Sequence, residues 1–204
     1  MVSSQPQGYP PDPSWLPVER VAPGRVRIAD ARWNGHLANV TPAELTAFTL
    51  PETMTGADFL ARYGGTPDDA TSVDPERSYA VRACTAHPVH EHHRVRTYAE
   101  LLRLGDDAAL ALCGELMEQS HASYGACGLG SAATDALVRA VAAARRAGAP
   151  LFGAKITGGG SGGTVAVLGR AEAADAVARI AATHGGRPVI SGSGPGAIAH
   201  GVIT

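Results

Sequence analysis

The feature that most constrains the fold is a glycine-rich segment between two runs of strand-like sequence. Residues 155–164 read KITGGGSGGT, so five of these ten positions are glycine. We predict strands over Leu151–Thr157 and Thr164–Leu168, on either side of the glycines. A tight hairpin needs only about two to five residues, with one or two glycines. This connection is longer and richer in glycine than a turn requires, which favours a binding role over a plain hairpin loop.

Consecutive glycines suit a loop that binds an anion. Without Cβ atoms in the way, successive backbone N–H groups can point into one concavity, and the hydroxyls of Thr157 and Ser161 add further donors. The segment is not a Walker A loop, because GxxxxGK[ST] is absent and Lys155 precedes the glycines. The predicted phosphate- or substrate-binding residues are Thr157, Gly158, Gly159, Gly160, Ser161, Gly162 and Gly163.

Three long helices are predicted before this loop, from the spacing of apolar residues and from capping residues. They are Pro88–Leu104, a helix that starts after Asp106 or Asp107, and a helix that runs from Ser131 to a stop at Gly148. The elements predicted after the loop are a helix over Ala171–Thr183 and extended segments at 188–191 and 198–204. This order of elements predicts an α+β fold with an antiparallel sheet and packed helices.

The first part of the chain has weaker signals. Residues 1–23 are rich in proline and have no periodicity, which predicts a flexible or polyproline-like lead-in. Thr41, Pro42 and Glu44 form a capping box with proline at the first helical position, so a helix is expected to start there. The other predicted elements are a short helix after Thr55 and extended segments over Val26–Ile28, Leu37–Val40 and Tyr79–Arg82.

Composition limits the classes of protein to consider. The content of 45% hydrophobic and 18% charged residues is ordinary for a soluble globular protein. A formal net charge of -2 and a pI near 6.4 give no basic surface for nucleic acid or an anionic membrane. We see no apolar run of about 20 residues, no secretory signal, and no disulfide framework among three cysteines. We therefore expect a cytoplasmic protein without nucleic-acid or membrane partners.

Two polar segments are candidate site elements, and each has a plainer structural explanation. Residues 117–124, MEQSHASY, end one predicted helix and lead through a glycine turn into the next, as an ordinary helix–loop–helix corner does. His121 in this segment is also compatible with a half-buried, hydrogen-bonded histidine. Residues 87–94, HPVHEHHR, invite a metal site, but HExxH and Cys/His zinc spacings are absent. We predict no metal there and expect a solvated or substrate-adjacent helix start.

Together these segments resemble the C-terminal region of the galactokinase-like GHMP kinases. The resemblance rests on SHxSY at 120–124, GLGS at 128–131 with Thr134-Asp135, and GAKITGGGSGG at 153–163. It is strongest for the L-arabinokinase branch, which also has counterparts of LANV at 37–40, RSYxVRA at 77–83, HP at 87–88, EHxRV at 91–95 and SGPGA at 193–197. The resemblance covers about residues 33–204.

The resemblance implies phosphoryl transfer from Mg²⁺·ATP to the anomeric hydroxyl of a sugar, in a cleft between two lobes. It implies a ferredoxin-like α+β C-terminal lobe, whose residues Thr157–Gly163 line the cleft near the transferred phosphoryl group and the sugar. Supports or edges of the cleft are implied at Lys155, Ser120, His121 and Glu91. We expect a flexible proline-rich lead-in over 1–32, a partial helical linker region over 33–105 and the GHMP kinase C-terminal domain over 106–204.

The sequence departs from the family pattern in one important respect. The family's nucleotide loop, PxxxGLxSSA, and its catalytic aspartate belong to the N-terminal lobe, and we find neither here. GLGSAA at 128–133 lacks the upstream proline and the doubled serine. We therefore assign no catalytic residue, and expect ATP and Mg²⁺ to bind mainly to an N-terminal lobe, supplied separately or replaced through self-association. Two alternatives stay open: a non-catalytic module that binds a sugar or sugar phosphate, and a self-sufficient enzyme with Asp135 as base.

Overall fold

Six helices and three pairs of strands form the part of the chain that the structure describes. The computed structural model describes residues 18–22, 25–28, 33–34, 36–66, 70–158 and 163–187. The helices are α1 Pro42–Leu45, α2 Gly56–Tyr63, α3 Val81–Leu104, α4 Asp107–Ala126, α5 Ala132–Arg146 and α6 Ala174–Thr183. The strands are β1 Val18–Ala22, β2 Arg25–Ile28, β3 Met54–Thr55, β4 Ser78–Tyr79, β5 Leu151–Thr157 and β6 Thr164–Gly169.

Each of these strands pairs with one other described strand. β1 pairs with β2, β3 with β4 and β5 with β6, and all three pairs are antiparallel. Helices packed with small antiparallel sheets make the fold α+β, which confirms the predicted class. Within these same residues, none of the helices combines the length and the apolar composition that crossing a bilayer requires.

The structure describes only parts of the predicted N-terminal lead-in and of the C-terminal segment. Val18–Ala22 lies in the predicted lead-in and pairs with Arg25–Ile28, where a strand was predicted over Val26–Ile28. The extended segments predicted at 188–191 and 198–204 lie outside the described residues. The division into regions at 1–32, 33–105 and 106–204 stays a prediction.

Local capping signals place several helix starts where the sequence predicts them. Thr41 Oγ1 accepts the Glu44 N–H at 3.2 Å, and Glu44 Oε2 accepts the Thr41 N–H at 2.8 Å, which is the predicted capping box. Asp106 Oδ1 accepts the Ala109 N–H at 2.8 Å and caps α4. Ser131 caps α5 through another box. These side chains satisfy N–H groups that have no partner inside the helix, so short patterns suffice to set the starts.

The strand predicted over Leu37–Val40 is wrong. Residues 37–39 form a turn of 3-10 helix, and the Val40 side chain that follows is buried in one cluster with Val89 of α3. A short apolar run fits a helix face as readily as a sheet, and local spacing does not distinguish the two. Packing against α3 therefore decides the conformation of this segment.

α3 is longer than predicted, and the extended segment predicted over Tyr79–Arg82 is correct only at Tyr79. The helix begins at Val81, seven residues before the predicted start at Pro88, which lies inside it. Proline has no N–H to bond to the carbonyl of Cys84, one turn earlier, and normally begins or kinks a helix. The Val89 side chain is 1% exposed, and its burial holds the helix in place across this missing bond.

The C-terminal half is built around β5. α4 crosses this strand at Gly114 and Gly153, where the lack of side chains permits close backbone contact. A second cluster joins α5 to β5 and to the turn before α6. Its buried members are Val138, Val141, Leu151, Ala154 and Ala173.

Helix side chains also bond to the backbone of β5. Arg145 Nη1 of α5 donates to the Phe152 carbonyl at 2.6 Å. His121 Nδ1 of α4 accepts the Ile156 N–H at 3.3 Å. β5 is therefore held by β6 through a strand ladder and by two helices through side chains, which fixes the strand that leads into the glycine loop.

Candidate functional site

Glu91 of α3 is the centre of a polar cluster that joins three elements. Its Oε1 accepts hydrogen bonds from Lys155 Nζ of β5 at 2.8 Å and from Ser120 Oγ of α4 at 2.6 Å. Its Oε2 accepts one from Arg94 Nε at 2.8 Å. Three of the four residues predicted as supports of a cleft, Glu91, Ser120 and Lys155, therefore meet at one carboxylate.

This Glu91 cluster carries more positive than negative charge. Burial by itself raises the pKa of Glu91, but the hydrogen bonds from its three partners outweigh burial and lower the pKa to about 2. Glu91 is therefore ionised at neutral pH, and its one charge faces two cations. The side chains of Glu91, Lys155 and Arg94 are 22%, 29% and 11% exposed, so water screens these charges only in part. The cluster as a whole attracts anions.

Both cations of the cluster have hydrogen-bonding capacity beyond Glu91. An ammonium group has three donors, and Lys155 Nζ directs one of them to Glu91 Oε1. Arg94 Nη2 is buried and has no hydrogen-bond partner within the described ranges. A buried donor without a partner costs about 1–3 kcal/mol. The cluster thus favours an additional oxygen acceptor over further donors.

His121 bonds to residues outside the Glu91 cluster and links three elements of the fold. Its Nδ1 accepts the backbone N–H of Ile156, so the ring hydrogen is assigned to Nε2. Nε2 lies 3.2 Å from Asp135 Oδ1 of α5 and donates to it. This matches the half-buried, hydrogen-bonded histidine that the sequence left open. His121 joins α4, β5 and α5, and its role as a cleft edge stays a prediction.

Tyr124 of α4 ties the helix to the start of the glycine loop. Its hydroxyl donates to the Gly158 carbonyl at 2.8 Å. The His87 ring packs edge-on against the Tyr124 ring, with centroids 5.2 Å apart, and His87 Nδ1 lies 2.9 Å from Ser123 Oγ. Burial, the largest influence, lowers the pKa of His87 and favours its neutral form. Tyr124 belongs to the SHxSY pattern but is not among the predicted site residues, because no spacing in the sequence indicates which distant carbonyl a tyrosine reaches.

The predicted binding loop begins beside the Glu91 cluster. Thr157 is the last residue of β5 and pairs with Thr164 of β6. Lys155 lies two positions earlier in the strand, so Lys155 and Thr157 share a face of β5. Gly158 and Gly163 have φ of 83° and 110°, the left-handed region that favours glycine. The other predicted loop residues lie outside the described part of the chain: Gly159, Gly160, Ser161 and Gly162.

The histidine-rich segment 87–94 lies inside α3 and not at a helix start as predicted, and it does not gather its side chains at one point. His87 is paired with Ser123, and Glu91 is engaged by Lys155, Ser120 and Arg94. Among the residues with described positions, no group of three or more His, Cys, Asp or Glu side chains is placed to hold a metal ion. This segment serves the helix–helix contact between α3 and α4.

Part of the chain is similar in sequence to known proteins. Residues 99–187 match the family described as GHMP kinases C terminal. The L-arabinokinase of Arabidopsis thaliana is 42% identical over 144 residues, which is 66% of this chain and 14% of that relative. The chain therefore spans a small part of that relative's length. The matched residues 99–187 contain α4, α5, β5, β6 and α6, with Ser120, Lys155 and the glycine loop. Over residues 99–187, the chain therefore matches the C-terminal domain of the GHMP kinases.

Proposed function

We propose that this chain supplies the sugar-side lobe of an ATP-dependent sugar 1-kinase of the arabinokinase and galactokinase type. In this proposal it works with an N-terminal lobe that binds ATP, on the same polypeptide or on another. The observation that carries the proposal is the position of the Glu91 cluster. Its cation Lys155 lies on the strand that leads into the glycine loop, two residues before Thr157.

Phosphoryl transfer makes demands that this arrangement can meet. The transferred group spreads negative charge over its oxygens, and catalysis depends on positioning and on electrostatic stabilisation. In the proposal, Glu91 fixes the position of the Lys155 ammonium, while loop N–H groups and the Thr157 hydroxyl bind phosphoryl or sugar oxygens. The anomeric oxygen bonds to the γ-phosphorus as the bond to ADP breaks, and its proton passes to a base on the N-terminal lobe.

The described residues fit an oxyanion better than a magnesium ion. The groups around the cluster are an ammonium, a guanidinium and a hydroxyl, which are donors, and the Glu91 carboxylate is already engaged by all three. Mg²⁺ requires oxygen ligands in near-octahedral geometry. We therefore place ATP and Mg²⁺ mainly on the N-terminal lobe and assign no metal ligand to this chain.

The test is sugar-dependent ADP release with Mg²⁺·ATP and arabinose, galactose or glucuronic acid. We expect no release from this chain alone, and release after addition of a separately expressed N-terminal lobe from the similar L-arabinokinase. In the reconstituted system, Lys155→Met should lower kcat by about tenfold or more, and Lys155→Arg by less, because it keeps the charge. Sugar-dependent release by the chain alone would contradict the two-lobe proposal.

A second candidate is a module that binds a sugar or sugar phosphate without turnover. It is favoured by the fact that the Glu91 cluster and the Tyr124 contact with Gly158 form within this chain alone. Calorimetric titration with sugar 1-phosphates in the absence of nucleotide separates the candidates. Saturable binding, together with no turnover after addition of the N-terminal lobe, would favour the binding module.

A self-sufficient enzyme with Asp135 as its base has less support. Asp135 Oδ1 is engaged by His121 Nε2, and this pair bridges α4 and α5. A base needs a carboxylate that is available to the substrate hydroxyl. Turnover that survives Asp135→Asn would exclude this candidate.

A further inference from the structure

Two of the three cysteines lie next to each other where the start of α3 meets the end of α4. The Cys84 thiol points to the Cys127 carbonyl oxygen with an Sγ–O distance of 4.0 Å, so the two residues are in contact across the two helices. Both cysteines are free thiols in this structure. We propose that Cys84 and Cys127 form a reversible disulfide that joins α3 to α4.

The two thiols differ in how readily they meet an oxidant. Cys84 is exposed, and it also lines a groove of about 290 Å³ with apolar neighbours such as Phe59 and Val81. Cys127 is half-buried at the C-terminal end of α4. Access is the first requirement for a thiol to be oxidised. Cys84 is therefore the thiol that reacts first, and Cys127 is the one that resolves the intermediate.

The backbone at both cysteines can adjust to the geometry of a disulfide. Cys84 precedes Pro88 by one turn, so its carbonyl lacks the usual helical donor. Cys127 is the C-cap of α4 and is followed by Gly128, whose φ is 76°. A Cβ built on Gly128 would meet nothing within 4 Å, so the chain there has room to move. A disulfide requires Cα atoms within about 7 Å of each other, and small backbone shifts at these two positions can meet that requirement.

The step is a thiol–disulfide exchange with a small-molecule disulfide such as oxidised glutathione. The Cys84 thiolate attacks one sulfur of that disulfide, an S–S bond breaks, and one small thiolate leaves. The Cys127 thiolate then attacks Cys84 Sγ and releases the second small thiolate. The two protein thiols lose two electrons, the small disulfide gains them, and the two protein protons end on the released thiols.

The environment of Cys127 favours this order of events. Its pKa is raised to about 11, first by burial and then by the charge and the hydrogen bond of Cys84. Cys127 is therefore held in its protonated form more firmly than an ordinary thiol, and it reacts after the exposed Cys84.

The disulfide would lie close to the contacts that hold the glycine loop. Cys84 is three residues before His87, and Cys127 is three residues after Tyr124, so each is about one helical turn from the His87–Tyr124 contact. A covalent link at this point would fix the spacing of α3 and α4 where Tyr124 bonds to Gly158. The proposal itself concerns only the thiols and does not depend on the proposed function.

The experiment exposes the full chain to buffers with an increasing ratio of oxidised to reduced glutathione. We expect intact-mass analysis to show loss of two hydrogens, and thiol titration in denaturant to show one remaining thiol of three. Non-reducing peptide mapping should link the peptides that contain Cys84 and Cys127. Dithiothreitol should restore all the thiols. Retention of three thiols across the series, or a disulfide between two chains, would overturn the proposal.

Matched variants identify the residues involved. Cys113 is 0% exposed, and its thiol points to the Tyr98 carbonyl, so Cys113→Ser should still form the disulfide. Cys84→Ser should lose both the intramolecular disulfide and the mixed disulfide, whereas Cys127→Ser should stop at the mixed disulfide on Cys84. Circular dichroism checks that each variant is folded. A linked peptide that contains Cys113 in the unmodified sequence would refute the assignment.

Discussion

Gly114 of α4 and Gly153 of β5 touch backbone to backbone: a Cβ built on Gly153 would lie 2.5 Å from the Cα of Gly114. This contact sets the distance between the helix that carries Ser120 and Tyr124 and the strand that carries Lys155. A side chain at either glycine would separate these elements. The polar cluster around Glu91 therefore depends on two residues that have no side chain.

The first prediction concerns this crossing. Gly114→Ala should lower the free energy of unfolding by about 2–4 kcal/mol, because the new Cβ would lie 1.9 Å from the Phe152 carbonyl oxygen. Urea unfolding followed by circular dichroism measures the change. Gly125→Ala in the same helix is the control, since a Cβ there meets nothing within 4 Å. It should leave stability unchanged or raise it by up to about 1 kcal/mol. Equal losses in both variants would contradict the crossing.

The second prediction is an acid-dependent loss of stability that depends on Glu91. The pKa of this group is lowered from 4.5 to about 2 in the folded protein, so its contribution is complete above pH 4.5 and is lost as the pH falls toward 2. We expect roughly 2 kcal/mol, allowing for screening of a partly exposed side chain. Unfolding measured between pH 5 and pH 2 tests this. Glu91→Gln should lack this part of the pH dependence, and an unchanged slope would count against the cluster.

The third prediction tests Lys155 as the first partner of Glu91. Lys155→Met removes the hydrogen bond and the charge that contribute most to lowering the pKa of Glu91, so the pKa should rise from about 2 toward its ordinary value. Titration of the Glu91 side-chain carbon by NMR measures this directly. Lys155→Arg is the control, because it keeps a cation beside the carboxylate and should give a smaller rise. An unchanged pKa in Lys155→Met would contradict the contact between them.

The fourth prediction concerns the contact of Tyr124 with the loop. Tyr124→Phe removes the hydrogen bond to the Gly158 carbonyl and should lower stability by about 0.5–1.5 kcal/mol. Tyr79→Phe is a matched control, because the Tyr79 hydroxyl accepts the Asp74 N–H at 3.0 Å, in a different part of the fold. Both should lose similar stability, but only Tyr124→Phe should weaken sugar-phosphate binding. If Tyr79→Phe weakened binding equally, Tyr124 would have no particular role in positioning the loop.

Local signals predicted the parts of the fold that depend on neighbours in sequence. The capping residues Thr41, Asp106 and Ser131 each bond within one helical turn. The helix starts they define can therefore be predicted from a few neighbouring residues. The strand Leu151–Thr157 was predicted with its observed limits, because glycine ends it on one side and a helix stop precedes it on the other. Leu37–Val40 failed because its conformation is decided by burial against α3, which lies far along the chain.

The site was predictable as a set of residues but not as an arrangement. The family resemblance selected Glu91, Ser120 and Lys155, yet Glu91 and Lys155 are 64 positions apart and nothing local pairs them. The resemblance also grouped His121 with them, although it bonds to Ile156 and Asp135 instead. Which side chain reaches which backbone group depends on the crossing of α4 and β5. That crossing depends on tertiary packing, so it cannot be predicted from the spacing of residues in the sequence.

Three helix side chains bond to the backbone of one stretch of chain: Arg145 to Phe152, His121 to Ile156 and Tyr124 to Gly158. The backbone positions are spaced by four residues and then by two. Because the backbone groups of a strand point to opposite sides at successive residues, these three side chains fix the register of the strand against the helices. Insertion or deletion of one residue between Phe152 and Gly158 would break at least one of these hydrogen bonds. The residue at which the glycine loop begins is thus fixed by contacts with two helices, so we expect any change in loop length to fall after Gly158.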